Sequence, residues 1–181
     1  MYPFTLEHSR SAYVADFILY GTASALMAVG LIFVGPHEQW LSLMALAMVG
    51  LASWPFIEYA LHRFCLHGLR PFSTWHAEHH QRPAALICTP TLLSASLILL
   101  LVFVPTLILG DMWQACALTF GLLTGYLIYA ITHHALHHWR ADNAWLRRRK
   151  RWHALHHDPI RPPGHYGVTS AFWDHVFGSH R

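Results

Sequence analysis

Histidines at helical spacing constrain this chain more than any other feature. Thirteen of its seventeen histidines lie in two windows, His62–His80 and His133–His165. Four clusters stand out within them: His62 and His67; His76, His79 and His80; His133 and His137; and His153, His156 and His157. Residues three and four apart share a helix face, so each of the last three clusters aims its imidazoles to one side. His62 and His67 are five apart and diverge on a regular α-helix. They converge only if the helix ends or distorts near Phe64 to His67, which Gly68 and Pro71 favour. Packing gives no reason to write H-x-x-H-H twice, at His76–His80 and at His153–His157. Ten such imidazoles match two transition-metal ions at about four to five ligands each.

The rest of the chain says where such a site is built. Of its 181 residues, 54% are hydrophobic and 12% charged, about half the charged share of a soluble domain. Apolar stretches long enough to cross a bilayer run over Tyr13–Val34, Leu41–Leu61, Leu86–Leu109 and Trp113–Ile131. The first is too long for the apolar region of a signal peptide, and no cleavage site follows it. It carries one acid, Asp16. Trp54-Pro55 predicts a kink in the second, and Pro90 and Pro105 lie near the ends of the third. Four spans put the N-terminus and both histidine windows on one side. All twelve Lys and Arg lie there too, and the loops around Glu38 and Asp111 contain none. The positive-inside rule makes that side cytoplasmic. No strand-forming alternation appears. The expected fold is therefore all-α: one membrane-embedded domain over residues 1–181, with four transmembrane helices and a cytosolic histidine-rich dimetal cap.

Imidazole ligands suit iron, zinc, copper or nickel, and the recurring Glu-x-x-His of bundle-type di-iron proteins is missing. Glu58, four residues before His62 at the end of a span, is the acid placed to orient a ligand imidazole from behind. Glu78 lies between ligands and points away. His134 and His138 are one residue out of step with His133 and His137, and His8, His37 and His180 read as packing residues. Cys65, Cys88 and Cys116 have no paired spacing and read as small buried hydrophobes. The run Arg147–Arg151, flanked by Trp145 and Trp152, fits anionic lipid headgroups rather than nucleic acid. There is no G-x-S-x-G, no P-loop and no dinucleotide-binding glycine pattern. What remains is metal chemistry at the edge of a bilayer.

The stretch from Glu58 through His62 to His67, then His76–His80, His133–His137 and His153–His157, resembles the fatty acid hydroxylase/sterol desaturase superfamily. The tail Tyr166-Gly167-Val168-Thr169-Ser170-Ala171-Phe172-Trp173-Asp174-His175-Val176-Phe177-Gly178-Ser179 is similar to the end of fatty acid 2-hydroxylases. That resemblance implies two iron ions on the ten clustered histidines, with zinc as a substitute in purified protein. It further implies hydroxylation by molecular oxygen of an acyl chain at carbon 2. Tyr129, Tyr166, Phe172 and Trp173 are the implied substrate contacts, and Phe172, Trp173 and Phe177 could close over the site on Gly164, Gly167 and Gly178. Relatives commonly have Tyr-Asp where this chain has Tyr129-Ala130, and Tyr where it has His134. The length leaves no room for the cytochrome b5 domain that eukaryotic members often carry, so the expected electron donor is a separate protein of cytochrome b5 or ferredoxin type. Two other classes stay open: a carotenoid or sterol oxygenase of the same superfamily, and a non-enzymatic metal-binding membrane protein. A transporter would place its ligands near the bilayer midplane, whereas these clusters follow the ends of spans.

Overall fold

Ser9 starts the first helix by accepting the Ala12 N–H at 3.2 Å, an N-cap contact. The computed structural model, which describes residues 7–181, continues that helix (α1) over Arg10–Phe33. α2 covers Trp40–Ala60 and passes without a break into a π-helical turn, Leu61–Leu66. α3 covers Phe72–Gln81. The third apolar segment is α4, Thr91–Ile98, a second π turn, Leu99–Phe103, and α5, Val104–Leu109. α6 runs over Met112–His138, its start capped where Asp111 Oδ1 accepts the Gln114 N–H at 2.9 Å. α7 covers Ala144–His156 and α8 Phe172–Val176. Among the described residues the only β pairing is a bridge between Glu7 and Ile87. Residues 1–6, expected on the cytoplasmic side, lie outside the described residues.

Among the described residues, four helices are long and apolar enough to cross a membrane: Arg10–Phe33, His37–Leu66, Thr91–Leu109 and Met112–His138. Three of these bounds differ from the sequence expectation by five residues or more, the second span running on from Leu61 to Leu66 through the π turn. The third begins at Thr91 rather than Leu86, because Pro90 biases the residue before it towards extended backbone, and Leu86 instead accepts the His8 N–H at 2.9 Å. The fourth continues past Ile131 to His138, so the third histidine pair rides on the spanning helix itself. α2 runs through Pro55, and its departure from α geometry comes later, at Leu61.

The chain divides into two compact units. One holds the chain up to Trp54 together with Leu86–Leu127. Here α2 and α6 approach closely at glycines: a Cβ on Gly50 would fall against the Leu118 carbonyl, and one on Gly121 against the Ala47 carbonyl. Lipid offers no hydrophobic drive between spans, so such small-residue contacts supply the packing. Asp16 does not interrupt α1; it is buried and accepts the Tyr126 hydroxyl at 3.5 Å. The other unit holds Pro55–Ala85 and Ile128–Arg181. Its core is Ala135, Leu136, Leu146 and Val168, with Tyr129 and Ala141 packed against them.

Within that unit α7 has two faces. Leu146, Arg149, His153 and His156 are buried, while Arg147, Arg148 and Arg151 are exposed. The basic run is therefore not one headgroup-facing patch. Helical period turns Arg149 inward, over the Trp152 ring and towards the Val168 carbonyl at 3.5 Å.

Candidate metal centre

The π turn resolves the five-residue spacing of His62 and His67. At 3.6 residues per turn, side chains five apart lie about 140° round an α-helix. The i→i+5 pattern replaces the usual bond, with the His67 N–H donating to the His62 carbonyl at 3.2 Å, and stacks one residue over the other. The two rings end 5.3 Å apart.

Nine of the ten expected ligands fall into two groups. His62, His67, His76, His80 and His156 each present a ring nitrogen within 4.8 Å of all the others, and so do His79, His133, His137 and His153. In the first group the Nε2–Nε2 separations are 2.9 Å for His62–His76, 3.0 Å for His76–His80, 3.0 Å for His80–His156 and 3.2 Å for His67–His156. In the second they are 3.2 Å for His133–His137 and 2.9 Å for His137–His153. Two nitrogens each about 2.1 Å from one ion at a right angle stand about 3.0 Å apart, so both groups fit a shared ion. His157 belongs to neither group. Its ring lies between them, stacked on His80 of the first group at 4.1 Å and 4.5, 5.0 and 5.1 Å from His153, His79 and His137 of the second. Both ring nitrogens of His79 and of His157 are buried without a hydrogen-bond partner. Burying such groups unpaired is costly, and a metal ion would take up one nitrogen of each ring.

Each H-x-x-H-H motif straddles both groups. His76 and His80, four apart, join the first group, while His79 joins the second. On α7, His153 joins the second and His156 the first. A step of three and a step of four place side chains on opposite flanks of one helix stripe, so two helices serve two ions.

The imidazoles are held neutral. Burial pushes His67 down to about 4, His79 and His156 to about 3 and His157 to about 2, with neighbouring imidazoles contributing. His76 and His153 are lowered too, for the same reason. Neutral rings keep their lone pairs free to bind metal at pH 7.

Backbone carbonyls select the tautomer. The Tyr166 carbonyl accepts from His62 Nδ1 at 2.6 Å, and the Gly164 carbonyl accepts from His156 Nδ1 at 2.8 Å. Each bond needs the proton on Nδ1, which leaves the Nε2 lone pair pointing into the first group.

Glu58 does not bond an imidazole, contrary to its expected place behind His62. It is buried and accepts the Val168 and Thr169 N–H groups on Oε1 and the Thr169 hydroxyl on Oε2, at 2.6 Å for the last. The carbonyl of Tyr166 occupies the position behind the ring instead. Sequence reasoning missed Asp174, which has no exposed surface. It accepts the Tyr166 and Gly167 N–H groups at 2.8 Å each. An acid set between Trp173 and Val176 in an otherwise apolar-aromatic tail was the available signal.

Of the expected substrate contacts, Tyr129 stacks on His133 with centroids 5.8 Å apart, and the Tyr166 ring lies 5.3 Å from His67. Trp173 packs on Phe56 and Phe177, and Phe172 is exposed beside it. Gly164 and Gly167 are close-approach positions rather than hinges. A Cβ on the first would meet the Ser179 carbonyl, and one on the second would meet the Ser170 carbonyl and Asp174. Glu78 is half-buried and pairs with Arg82 at 3.2 Å, away from both groups. His134 and His138 stack on each other, outside both groups.

Comparison with known proteins agrees with this constellation. Residues 46–179 match the family model described as fatty acid hydroxylase. The dihydroceramide fatty acyl 2-hydroxylase FAH2 of Arabidopsis thaliana is 37% identical over 142 residues, 72% of this chain and 58% of that protein. The ceramide very long chain fatty acid hydroxylase scs7 of Schizosaccharomyces pombe is 34% identical over 73% of this chain and 41% of its own length. The fatty acid 2-hydroxylase of Homo sapiens is 30% identical over 73% and 38%. This chain thus spans about 40 to 60% of the length of these relatives. The solved structure of full-length scs7p, in which only the hydroxylase domain is visible, superposes with a TM-score of 0.77 at 27% identity, covering 96% of this chain and 67% of that one. With the family model spanning both histidine windows and the segment that orients their rings, this chain belongs to the fatty acid hydroxylase family.

Proposed function

We propose that the chain is a di-iron membrane monooxygenase that hydroxylates a long acyl chain of a fatty acid or lipid at carbon 2. The observation that carries this reading is the pair of all-imidazole groups, five and four nitrogens, in a family whose relatives are named as 2-hydroxylases of fatty acyl and ceramide chains. Five convergent nitrogens near right-angle spacing exceed the tetrahedral set that zinc prefers and suit a metal of higher coordination such as iron. His157 is the proposed fifth ligand of the second group.

Bound iron supplies oxygen activation, which removal of hydrogen from an unactivated carbon requires. The overall reaction places one atom of O2 on the substrate and reduces the other to water, using two protons and two electrons from a separate donor protein. The chain's own residues prepare the site. The Tyr166 and Gly164 carbonyls hold His62 and His156 as Nε2 donors, burial keeps the imidazoles neutral, and the Tyr129 and Tyr166 rings pack against His133 and His67. A lipid in the bilayer keeps its carbonyl near headgroup level, and the histidines follow the ends of spanning helices. That depth favours the first chain carbons over the middle of the chain.

The test is expression with a reductase system under labelled oxygen, followed by analysis of released acyl chains. Labelled 2-hydroxy acids are expected. A new double bond, or hydroxyl groups only on sterol or carotenoid rings, would refute the substrate assignment and leave the metal site standing. The proposed orientation puts the N-terminus and the metal site in the cytoplasm. A cysteine placed at Glu38 should then react with an impermeant reagent from outside, and one at Arg148 only after the membrane is opened.

A further inference from the structure

The peptide group between Tyr166 and Gly167 is engaged on both edges. Its carbonyl accepts from His62 Nδ1 at 2.6 Å, and its N–H donates to Asp174 Oδ2 at 2.8 Å. A single planar amide therefore joins a fully buried carboxylate to a ring of the first histidine group. The other carboxylate oxygen is fixed by the Tyr166 N–H and the Ser179 hydroxyl, each at 2.8 Å. Gly167 makes the approach possible, since a Cβ there would stand 2.9 Å from Asp174 Oδ2 and collide with the Ser170 carbonyl.

His156 offers an internal comparison. Its Nδ1 bonds the Gly164 carbonyl at 2.8 Å, and the N–H of that same peptide, on His165, donates to the Ser179 carbonyl at 2.8 Å. That chain ends on a neutral group. Among the described residues no comparable chain reaches the second group, where both ring nitrogens of His79 have no hydrogen-bond partner.

We propose that Asp174 is the carboxylate partner of His62, acting across the Tyr166–Gly167 peptide, and that it positions and strengthens His62 as a metal ligand. The proposal rests on the reading of the first histidine group as a metal site. A carboxylate behind a ligand imidazole fixes its tautomer and raises its basicity. An N–H bonded to a carboxylate polarises its own amide, so the carbonyl at the far end becomes a better acceptor, and such chains reinforce one another in a low-dielectric interior. Asp174 touches neither the ligand atoms nor substrate, so it is a positioning residue, and its influence is confined to one of the two ions.

Asp174→Asn isolates the effect. The amide oxygen can keep the Tyr166 N–H and Ser179 bonds, while the new NH2 faces the Gly167 N–H and breaks the relay. The experiment titrates Co(II) anaerobically into purified, metal-free, full-length protein and reads both affinity and the cobalt d–d absorption. His133→Ala leaves the first group as the intact site, and His76→Ala leaves the second. In the His133→Ala background Asp174→Asn should weaken cobalt binding about 10- to 100-fold and shift the absorption band. In the His76→Ala background it should change neither. Ser179→Ala, which removes one bond from the same carboxylate and leaves the relay, should match its parent in both. Unchanged binding at the first group, or equal weakening at both, would overturn the relay. No cobalt uptake by the parent protein would overturn the metal reading and the relay with it. A measurement on the zinc-loaded parent removes any dependence on the folding of the variant. The His62 Nδ1–H resonance, assigned by its loss in His62→Ala, should lie further downfield than that of His156. Coincident resonances would count against the relay.

Discussion

Replacing Glu58 tests whether a single buried acid holds the segment behind the metal centre. Its carboxylate takes three hydrogen bonds, from the Val168 N–H, the Thr169 N–H and the Thr169 hydroxyl. Val168 is 2% exposed, so no water replaces its lost partner. In Glu58→Ala both N–H groups are orphaned, at about 1–3 kcal/mol each, while the hydroxyl is free to turn elsewhere. The expected cost is about 2–6 kcal/mol. For a chain of this size each kcal/mol is worth about 2–4 °C in Tm, so the variant should melt at least about 4 °C lower. Glu58→Gln behaves differently: its amide oxygen can keep both N–H bonds, and the Thr169 hydroxyl reverses to accept from the new NH2. Its loss should stay near about 1 kcal/mol. Thermal unfolding in detergent, followed by near-ultraviolet circular dichroism, reads both variants. A Glu58→Ala protein that melts with the parent, or a Gln variant as damaged as the Ala variant, would refute the argument.

Three further outcomes follow from the same geometry. Metal analysis of anaerobic protein should fall from two ions per chain to one in either His76→Ala or His133→Ala and stay at two in His134→Ala; loss of both ions in one single variant would contradict separate groups. Gly121→Leu should lower Tm by several degrees, because overpacking costs about 1–3 kcal/mol and the Ala47 and Leu51 backbone cannot yield; Gly21→Ala, inside α1 with nothing within 4 Å, should not lower it. Cys88 should resist alkylation, because burial, reinforced by Asp16, pushes its thiol up to about 12. Stabilising the protonated form lowers the thiolate fraction at pH 8 by about a thousandfold, so a rate like that of a free thiol would show the residue to be exposed.

The sequence by itself determined the number of spanning helices. Apolar length specified four spanning helices, because a span needs about twenty residues whatever surrounds it. Spacing of three and four specified which histidines share a helix face, because that is set by helical period alone. The five-residue gap between His62 and His67 even demanded a distortion and its approximate place. Tertiary structure decided the rest. Only packing chose a π turn over a helix end at Leu61–Leu66, since that choice depends on where His62 must meet His76 and His156. Only packing divided each H-x-x-H-H between two groups, because one helix cannot specify which neighbour lies on which flank. Glu58 was read from its place four residues before His62, but its partners, Val168 and Thr169, lie 110 and 111 residues away. Asp174 reaches His62 through a backbone amide, and an amide carries no residue identity for a sequence to reveal.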